Sequence, residues 1–355
     1  TAAVAAAPTT SAAPASAPAY PETKGEPVEA ETKPTAAEGV IPYPVCPDGV
    51  QSLRQKALAP ELVAAWEKEA NFGNPLTEEQ QGKFPQFRSL LLAEGILHEM
   101  YDNKPSMFRF LQARQWDLEK AATMYRNHME WRKREELDTW LPTPSGPMPK
   151  LLIEFYFPEI AEVKRYYPFC YHKMTKEGRP IYFDRLGAIE YKNMIKNSSP
   201  ERVLKYFTWF AEASQQYRNP AASLVCGKHI GKSHFIIDMK GFGISKLNSE
   251  TRKFISDFSK IASDNYPECM HKTWIINAPF IFQTAWAMVK NMLDPQTVAK
   301  FSIMGGERDY MPKLLQLMDK KDIPTFCGGA DDTYDPCKEI GPWAELMPSS
   351  QGPLH

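Results

Sequence analysis

The chain has 355 residues, 43% of them hydrophobic, and a formal net charge of -1 at pH 7. This length can bury one sizeable core with a helical appendage, and the near-neutral charge excludes recognition of nucleic acid through overall charge, so any charged recognition must be local. No apolar run reaches the roughly 18 residues of a membrane-spanning helix, and the six scattered cysteines form no CxxC pair, which predicts reduced thiols rather than disulfides or zinc ligands.

The N-terminal part of the chain predicts a disordered arm followed by a helical lobe. Residues 1–48 consist largely of Ala, Pro, Thr, Ser and Glu, and they lack the large apolar groups that would offset the entropy of ordering. Apolar residues at helical spacing then predict helices over 50–74, 86–100 and 107–116. A fourth helix follows Asp117, which is a suitable N-cap. Three prolines within 142–147 end this lobe, which spans residues 49–146.

The remaining pattern alternates between strands and helices. Strands are predicted over 171–173, 181–184, 234–239, 273–277 and 301–304, and helices over 201–217, 247–263, 280–293 and 311–319. Strands that alternate with helices at this spacing indicate an α/β fold with an open, mostly parallel sheet covered by helices. We expect this domain to span residues 147–329, and we expect residues 330–355 to form a turn-rich surface tail.

The helix from Phe280 to Leu293 is apolar almost all the way round, with polar residues only at 283, 284, 290 and 291. Such a helix is either buried or covers something apolar. The pattern alone favours a core helix of a large α/β domain over a lid.

Motifs for catalysis are weak or missing. The segment from Gly227 to Ser233 resembles a phosphate-binding loop. However, it has three residues between its glycines where that loop needs four, and it precedes a strand rather than following one and opening a helix. A P-loop-like NTPase is therefore a remote alternative. No zinc-protease, serine-hydrolase or metal-ligand spacing occurs, so we predict no enzyme, no catalytic residue, no cofactor and no metal.

Four polar residues lie in otherwise apolar surroundings: Arg114, Glu268, Thr297 and Lys300. One interpretation is structural, with Arg114 and Glu268 forming an ion pair, Thr297 capping a short helix and Lys300 extending from its end. A second interpretation is functional. Thr297 and Lys300 share one helical face, and a hydroxyl and a cation beside an apolar cavity would suit an anionic headgroup whose acyl tails fill that cavity.

From about residue 78 to 345 the chain resembles the CRAL-TRIO lipid-binding family, and specifically its fungal-type phosphatidylinositol transfer branch. The similarity rests on many segments that occur in the same order, which makes a chance match very improbable. These segments are FLQARQWDLEKA with the following EWRK, YHKMTKEGRPIYFDRLGAIE, QQYRNPAAS, IIDMKGFGIS, YPECMHKTWIINAPFIFQTAW, LDPQTVAKFSIMGG, IPTFCGG and IGPW.

The resemblance implies a helical N-terminal lobe and a second lobe whose sheet forms the floor of an apolar lipid cavity gated by a long helix. It assigns the phosphatidylinositol headgroup to Arg114, Glu268, Thr297 and Lys300, while Thr175 replaces an aspartate often found near the inositol. It also favours a lid over a core helix for residues 280–293. The gate residues it implies are Phe280, Phe282, Trp286, Met288, Val289 and Met292.

Family members with dual specificity contact choline lipids through tyrosines and small polar residues. Here Tyr171, Tyr182 and Ser233 match those positions, but Phe235, Ala211 and Cys269 replace the other polar contacts, and Met270 is assigned to the same cavity wall. These replacements argue against phosphatidylcholine as the second ligand and favour a different hydrophobe, such as a sterol or an isoprenoid.

The predicted function is therefore binding and transfer of phosphatidylinositol, which is exchanged for a second hydrophobic lipid at membrane surfaces. An alternative is a lipid sensor or adaptor that presents the lipid to a lipid kinase. We expect a monomer in the cytoplasm with transient peripheral association with a Golgi, endosomal or plasma membrane, and no nucleic-acid partner.

Overall fold

The computed structural model describes residues 40, 53–71, 73–141, 148–243, 246, 248–289 and 298–347. The arm predicted over residues 1–48 lies outside these ranges except for Val40, which packs against the core of the helical lobe. Among the described residues, no helix combines the length and the apolar character that a membrane crossing needs.

Among the described residues, the N-terminal lobe has five α-helices, and three of them begin where a side chain caps the first turn. Thr77 and Gln80 form a reciprocal capping box, and the side chains of Asn103 and Asp117 accept hydrogen bonds from the backbone three residues later. The helices are α1 Leu53–Lys56, α2 Pro60–Glu67, α3 Glu78–Ala93, α4 Lys104–Ala113 and α5 Leu118–Arg134.

Two helix predictions in this lobe were wrong in their bounds. The helix expected over 50–74 is divided into α1 and α2, because Pro60 begins a new helix at its first position. The helix expected over 86–100 starts earlier, at the Thr77 cap, and is followed by Gly95 with a φ of 65°, a backbone conformation that favours glycine.

The second lobe is built on a five-stranded sheet. Its strands are β3 Phe169–Met174, β4 Pro180–Asp184, β5 Ser233–Asp238, β6 Met270–Ile276 and β7 Phe301–Ile303, and they lie in sequence order. The pair β3–β4 is antiparallel and the other pairs are parallel. This arrangement confirms the prediction of an α/β fold with a mostly parallel sheet behind a helical lobe.

A two-stranded ribbon, β1 Trp140–Leu141 with β2 Met148–Pro149, precedes the sheet. The helices of this lobe alternate with the strands as expected, although the helix predicted over 201–217 continues through a π-helical turn, Ser214–Arg218, into a further helix. They are α6 Lys150–Glu154, α7 Ile160–Tyr166, α8 Tyr191–Met194, α9 Pro200–Ala213, α10 Asn219–Cys226, α11 Ser249–Asn265, α12 Phe280–Val289 and α13 Glu307–Leu317.

The two faces of the sheet are covered to different extents. On the back face, Phe183, Ile236 and Trp274 are buried together with residues of α13. The front face, defined by Tyr171, Tyr182 and Phe235 in register, packs against α9 at its β3–β4 side. Further along, the front-face side chains on β5 and β7 are only half-buried: Phe235, Ile237, Phe301 and Ile303. The front face is therefore incompletely covered where a ligand cavity was expected.

The segment predicted as a surface tail is anchored in the second lobe over residues 330–347. Trp343 is fully buried, and the Glu339 carboxylate pairs with the buried Arg218 guanidinium. Asp331 is also buried and accepts a hydrogen bond from His172 on β3 at 2.6 Å. The sequence did not predict these contacts, because each joins a single side chain to a partner that is distant in the chain.

Candidate functional site

A charged residue stands immediately or nearly before each strand from β4 to β7. Arg179, Lys232 and Lys300 directly precede β4, β5 and β7, and Glu268 lies two residues before β6. These four strands are parallel, so their amino ends meet at one edge of the sheet. The fold thereby gathers four charges that are widely separated in the sequence.

Glu268 is the centre of this group. Its carboxylate accepts a hydrogen bond from Lys300 Nζ at 2.6 Å on one oxygen and from Lys232 Nζ at 2.5 Å on the other. Burial by itself would raise the pKa of Glu268, but the two ammonium groups outweigh burial and hold that pKa below its usual range. The residue also adopts a left-handed backbone conformation with a φ of 56°, which costs about 1 kcal/mol or more for a non-glycine residue.

These charges line a cavity of about 640 Å³ between the amino edge of the sheet and the helical lobe. Helices α2 and α4 contribute Trp66 and Phe108 to its wall, so the cavity has aromatic as well as charged sides. The cavity is lined by six basic and three acidic residues. The basic residues are Arg109, Arg179, Lys228, Lys232, Lys272 and Lys300, and the acidic residues are Glu69, Glu177 and Glu268. An excess of cations in a partly enclosed cavity favours an anionic ligand.

Arg109 of α4 connects the helical lobe to this site, and the sequence analysis missed it. Its Nε donates to the carbonyl of Pro267 at 3.0 Å, and its Nη1 donates to Oε1 of Gln215 at 2.6 Å. The first bond holds the turn that carries Glu268, and the second reaches the π-helical segment. Lys232 was also missed as a partner of Glu268, since the sequence assigned it only to the glycine-containing loop.

One of the predicted headgroup residues, Arg114, does not lie in this group. The Arg114 guanidinium donates to the carbonyl of Ala113 at 2.9 Å, and Arg114 is not among the residues that line the cavity. The structural interpretation of an Arg114–Glu268 ion pair is therefore wrong, because two lysines already occupy the carboxylate of Glu268. Thr297 lies outside the described residues.

The residues assigned to a second ligand lie on or beside the front face of the sheet. The ring centroids of Tyr171 and Tyr182 are 5.4 Å apart, and those of Tyr182 and Phe235 are 5.0 Å apart, so the three rings form a continuous apolar row. Ser233 is buried at the amino end of β5, where its hydroxyl donates to Asn219 Oδ1 at 3.3 Å. Ala211 of α9 and Met270 of β6 are half-buried.

Helix α12 lies over the front face at the β6–β7 side. Phe282 packs against an apolar cluster that includes Ile275, and the ring centroids of Trp286 and Phe301 are 5.4 Å apart. At its start, Phe280 and Ile281 are 83% and 61% exposed. The side chains of Met288 and Val289 are not described, and Met292 lies outside the described residues, as does the expected end of the helix at 293.

The phosphate-binding-loop alternative is wrong. Residues 227–232 connect α10 to β5, so the loop follows a helix and opens a strand, which is the reverse of the required order. Ser233, which would ligate a nucleotide-bound metal, is buried and hydrogen-bonded within the fold.

Comparison with known proteins agrees with this geometry. A family model described as "CRAL/TRIO domain" matches residues 164–329. The SEC14 cytosolic factor of Kluyveromyces lactis is 35% identical over 286 residues, which cover 78% of this chain and 90% of that protein. The chain belongs to the CRAL-TRIO family, in its fungal-type phosphatidylinositol transfer branch.

Other members of the CRAL-TRIO family align over a similar stretch. The phosphatidylinositol/phosphatidylcholine transfer protein SFH4 of Arabidopsis thaliana is 37% identical over 264 residues, 73% of this chain. The chain spans only 41% of SFH4 and 46% of the related SFH12, so it corresponds to about half the length of these relatives. The crystal structure of Sfh5 aligns with a TM-score of 0.46 at 14% identity, over 85% of this chain and 90% of that one; the family assignment rests on the sequence relatives.

The CRAL-TRIO match also shows which parts of the site belong to the common domain. Residues 164–329 contain the whole sheet together with Lys232, Glu268 and Lys300. Arg109 lies before the matched range, in the helical lobe. The cavity at the sheet edge is therefore completed by a segment outside the matched domain.

Proposed function

We infer that this protein binds phosphatidylinositol and transfers it between membrane surfaces in exchange for a second hydrophobic lipid. The observation that carries this proposal is the half-buried Glu268 carboxylate held between Lys232 and Lys300, in a cation-rich cavity on the same sheet as a half-covered apolar face. A charged end and an apolar face on one sheet match the two ends of a phospholipid.

The chemistry assigns a role to each part of the site. Lys300 and Lys232 can donate to the phosphodiester, and Glu268 can accept from inositol hydroxyls once a lysine turns toward the phosphate. The acyl chains would cover the half-buried front-face residues beneath α12. Each buried methylene contributes about 0.8 kcal/mol, so the tails would hold the lipid strongly and its release into water would be slow.

The names of the relatives support the same lipid. SFH4 and SFH12 are named phosphatidylinositol/phosphatidylcholine transfer proteins, and both align with most of this chain. For the second lipid, we propose a hydrophobe other than phosphatidylcholine, such as a sterol or an isoprenoid. Phe235 presents a ring to Tyr182, and Ala211, which packs against the same apolar cluster, offers no polar group.

The protein would work as a carrier rather than as an enzyme, as a monomer that contacts membranes transiently. Opening of α12 would occur against a bilayer, where Phe282 and Trp286 can exchange protein contacts for lipid contacts. The membrane that it would serve is a Golgi, endosomal or plasma membrane.

Mass spectrometry of lipids that co-purify with the protein, combined with transfer of labelled phosphatidylinositol between vesicles, tests this proposal. We expect phosphatidylinositol and one further hydrophobic lipid to be bound, and transfer to require membrane contact. Bound lipid with negligible transfer would instead support the sensor that presents lipid to a kinase. A lipid-free protein that also fails to take up phosphatidylinositol from vesicles would refute both functions.

A further inference from the structure

The cavity at the amino edge of the sheet carries more positive charge than phosphatidylinositol can neutralise. Six basic side chains and three carboxylates line it. Its two histidines add no charge at neutral pH, because burial lowers the pKa of His229 to about 4 and that of His271 to about 3. The excess of three positive charges faces a phosphatidylinositol headgroup with a single negative charge on its phosphodiester.

The excess is located at particular residues. Glu268 is shared by Lys232 and Lys300, and Glu69 accepts from Lys228 at 2.8 Å. Within the part of the chain that the structure describes, no carboxylate lies within hydrogen-bonding distance of the other three cations. These are Arg109, Arg179 and Lys272.

Arg179 carries a buried hydrogen-bond donor that has no acceptor among the described residues. Its side chain is 16% exposed, and its buried Nε donates no hydrogen bond to any described residue. The carboxylate of the exposed Glu177 forms an ion pair with that nitrogen at 3.6 Å, a distance too long for a hydrogen bond. A buried guanidinium donor without an acceptor costs free energy unless a ligand supplies one.

Lys272 lies on the same side of the cavity as Arg179. Both residues line the cavity together with His271. The pKa of His271 is lowered first by burial and then by the charges of Arg179, His234, Lys272 and Lys232. In the sheet, His234 of β5 pairs with Ile181 of β4 on one side and with Lys272 of β6 on the other. Arg179 lies two residues before Ile181. Arg179 and Lys272 therefore flank β5 on its two sides.

We propose that this cavity accepts an inositol headgroup that carries a phosphate monoester in addition to its phosphodiester, with Arg179 and Lys272 binding the monoester. A monoester carries about 1.5 to 2 negative charges at pH 7, which together with the diester matches the excess of three. The arginine fork suits a phosphate because it donates two parallel hydrogen bonds. This inference rests on the proposed function and specifies the class of headgroup.

The test compares affinities for two kinds of vesicle that differ only in the headgroup. Phosphatidylcholine vesicles doped with phosphatidylinositol or with phosphatidylinositol monophosphate are titrated with the full chain at two ionic strengths. We expect the monophosphate to bind roughly tenfold more tightly, since one charge-assisted hydrogen bond to a phosphate contributes about one power of ten in affinity. Soluble inositol bisphosphate, added as a competitor, distinguishes a lipid source of the headgroup from a free one.

The double variant Arg179→Gln with Lys272→Gln should bring the ratio of the two affinities close to one. Lys313→Gln, on the exposed surface of α13 and away from the cavity, removes a positive charge without touching the site and should leave that ratio unchanged. If Lys313→Gln lowers the ratio as much as the double variant does, the preference is a general effect of membrane charge and the inference is overturned. Matching melting temperatures confirm that the variants are folded.

The outcomes separate this inference from the proposed function. Binding of phosphatidylinositol without any preference for the monophosphate overturns the inference alone. Failure to bind either lipid overturns the proposed function as well. Competition by inositol bisphosphate at an affinity equal to that of the lipid supports the monoester site and identifies a soluble ligand as its occupant.

Discussion

The ammonium of Lys300 lies 2.6 Å from Oε1 of Glu268. Lys300 stands immediately before β7, and Glu268 stands two residues before β6. The two residues are 32 positions apart, and the described helix α12 lies in the connection between them. Any ligand that draws Lys300 away from Glu268 therefore acts at the end of the chain segment that contains α12. We therefore predict that headgroup capture and movement of this helix are coupled.

Replacing Lys300 by Ala should lower binding of phosphatidylinositol by about tenfold or more, since a hydrogen bond to a charged group contributes about 1.5–3 kcal/mol. Binding of the second lipid should be spared, because its predicted contacts lie on the front face around Tyr182 and Phe235. Vesicle transfer assays with each labelled lipid measure both effects. Equal loss of both lipids would contradict the headgroup assignment, and Lys313→Ala serves as the control for a change in net charge.

The strands of the sheet could be predicted from the sequence, because short apolar strand segments between helical patterns are local signals. The strand expected over 301–304 is Phe301–Ile303, and that expected over 181–184 is Pro180–Asp184. Glu268 and Lys300 were also identified, since charged residues in apolar surroundings stand out. Arg109 was missed because its acceptors, Pro267 and Gln215, are 158 and 106 residues away.

A further signal was available in the sequence but was not used. Arg179, Lys232, Glu268 and Lys300 each stand just before a predicted strand, and the amino ends of parallel strands converge. Position alone cannot give the direction of a long side chain, however. Arg114 was placed at the headgroup, but in the structure its guanidinium turns back to the Ala113 carbonyl.

The exposed start of α12 should govern exchange with membranes. Replacing Phe280 and Ile281 together by Asp should slow vesicle-to-vesicle transfer severalfold, because charged groups replace the apolar side chains that would enter the bilayer interface. Affinity for soluble inositol phosphate should not change, since neither residue lines the cavity.

Val225→Asp is a matched control for this prediction, because Val225 is 64% exposed and lies at the end of α10. Transfer by Val225→Asp should resemble that of the unmodified protein. If this variant slowed transfer as strongly as the α12 variant, the α12 start would not be the membrane contact.

A buried ion pair joins the two lobes and should dominate their docking. Arg132 of α5 donates to Glu212 of α9 at 2.8 Å, and their side chains are 0% and 2% exposed. Arg132 also pairs with the partly exposed Asp138 at 2.7 Å. Glu212→Gln should lower the free energy of unfolding by about 3 kcal/mol, because it removes the buried one of the two carboxylates that compensate this guanidinium. Denaturant unfolding followed by tryptophan fluorescence measures the change.

The matched control is the exposed pair between Arg126 and Glu94, also at 2.8 Å. Glu94→Gln should cost at most about 1 kcal/mol, as exposed pairs usually do. If Glu212→Gln and Glu94→Gln lowered the free energy of unfolding by similar amounts, burial would not increase the contribution of the interlobe ion pair to stability.

Stability should fall in acid through the carboxylate of Asp331, which anchors the C-terminal segment to β3. Burial would raise the pKa of Asp331, but hydrogen bonds from Lys173, Thr333 and His172 outweigh it and hold that pKa well below its usual range. A depressed folded pKa gives stability that is complete above the unfolded value of about 3.9 and is lost as the pH falls toward the folded value. Asp331→Asn should therefore lower the free energy of unfolding by about 3 kcal/mol at pH 7 and by progressively less below about pH 4, as measured by urea unfolding across that range.

The control is Asp322→Asn, which removes the other, more exposed carboxylate that pairs with Lys173 and should cost far less at every pH. A cost for Asp331→Asn that stays constant down to acid pH would contradict this, because it would show that the loss comes from packing rather than from the charge.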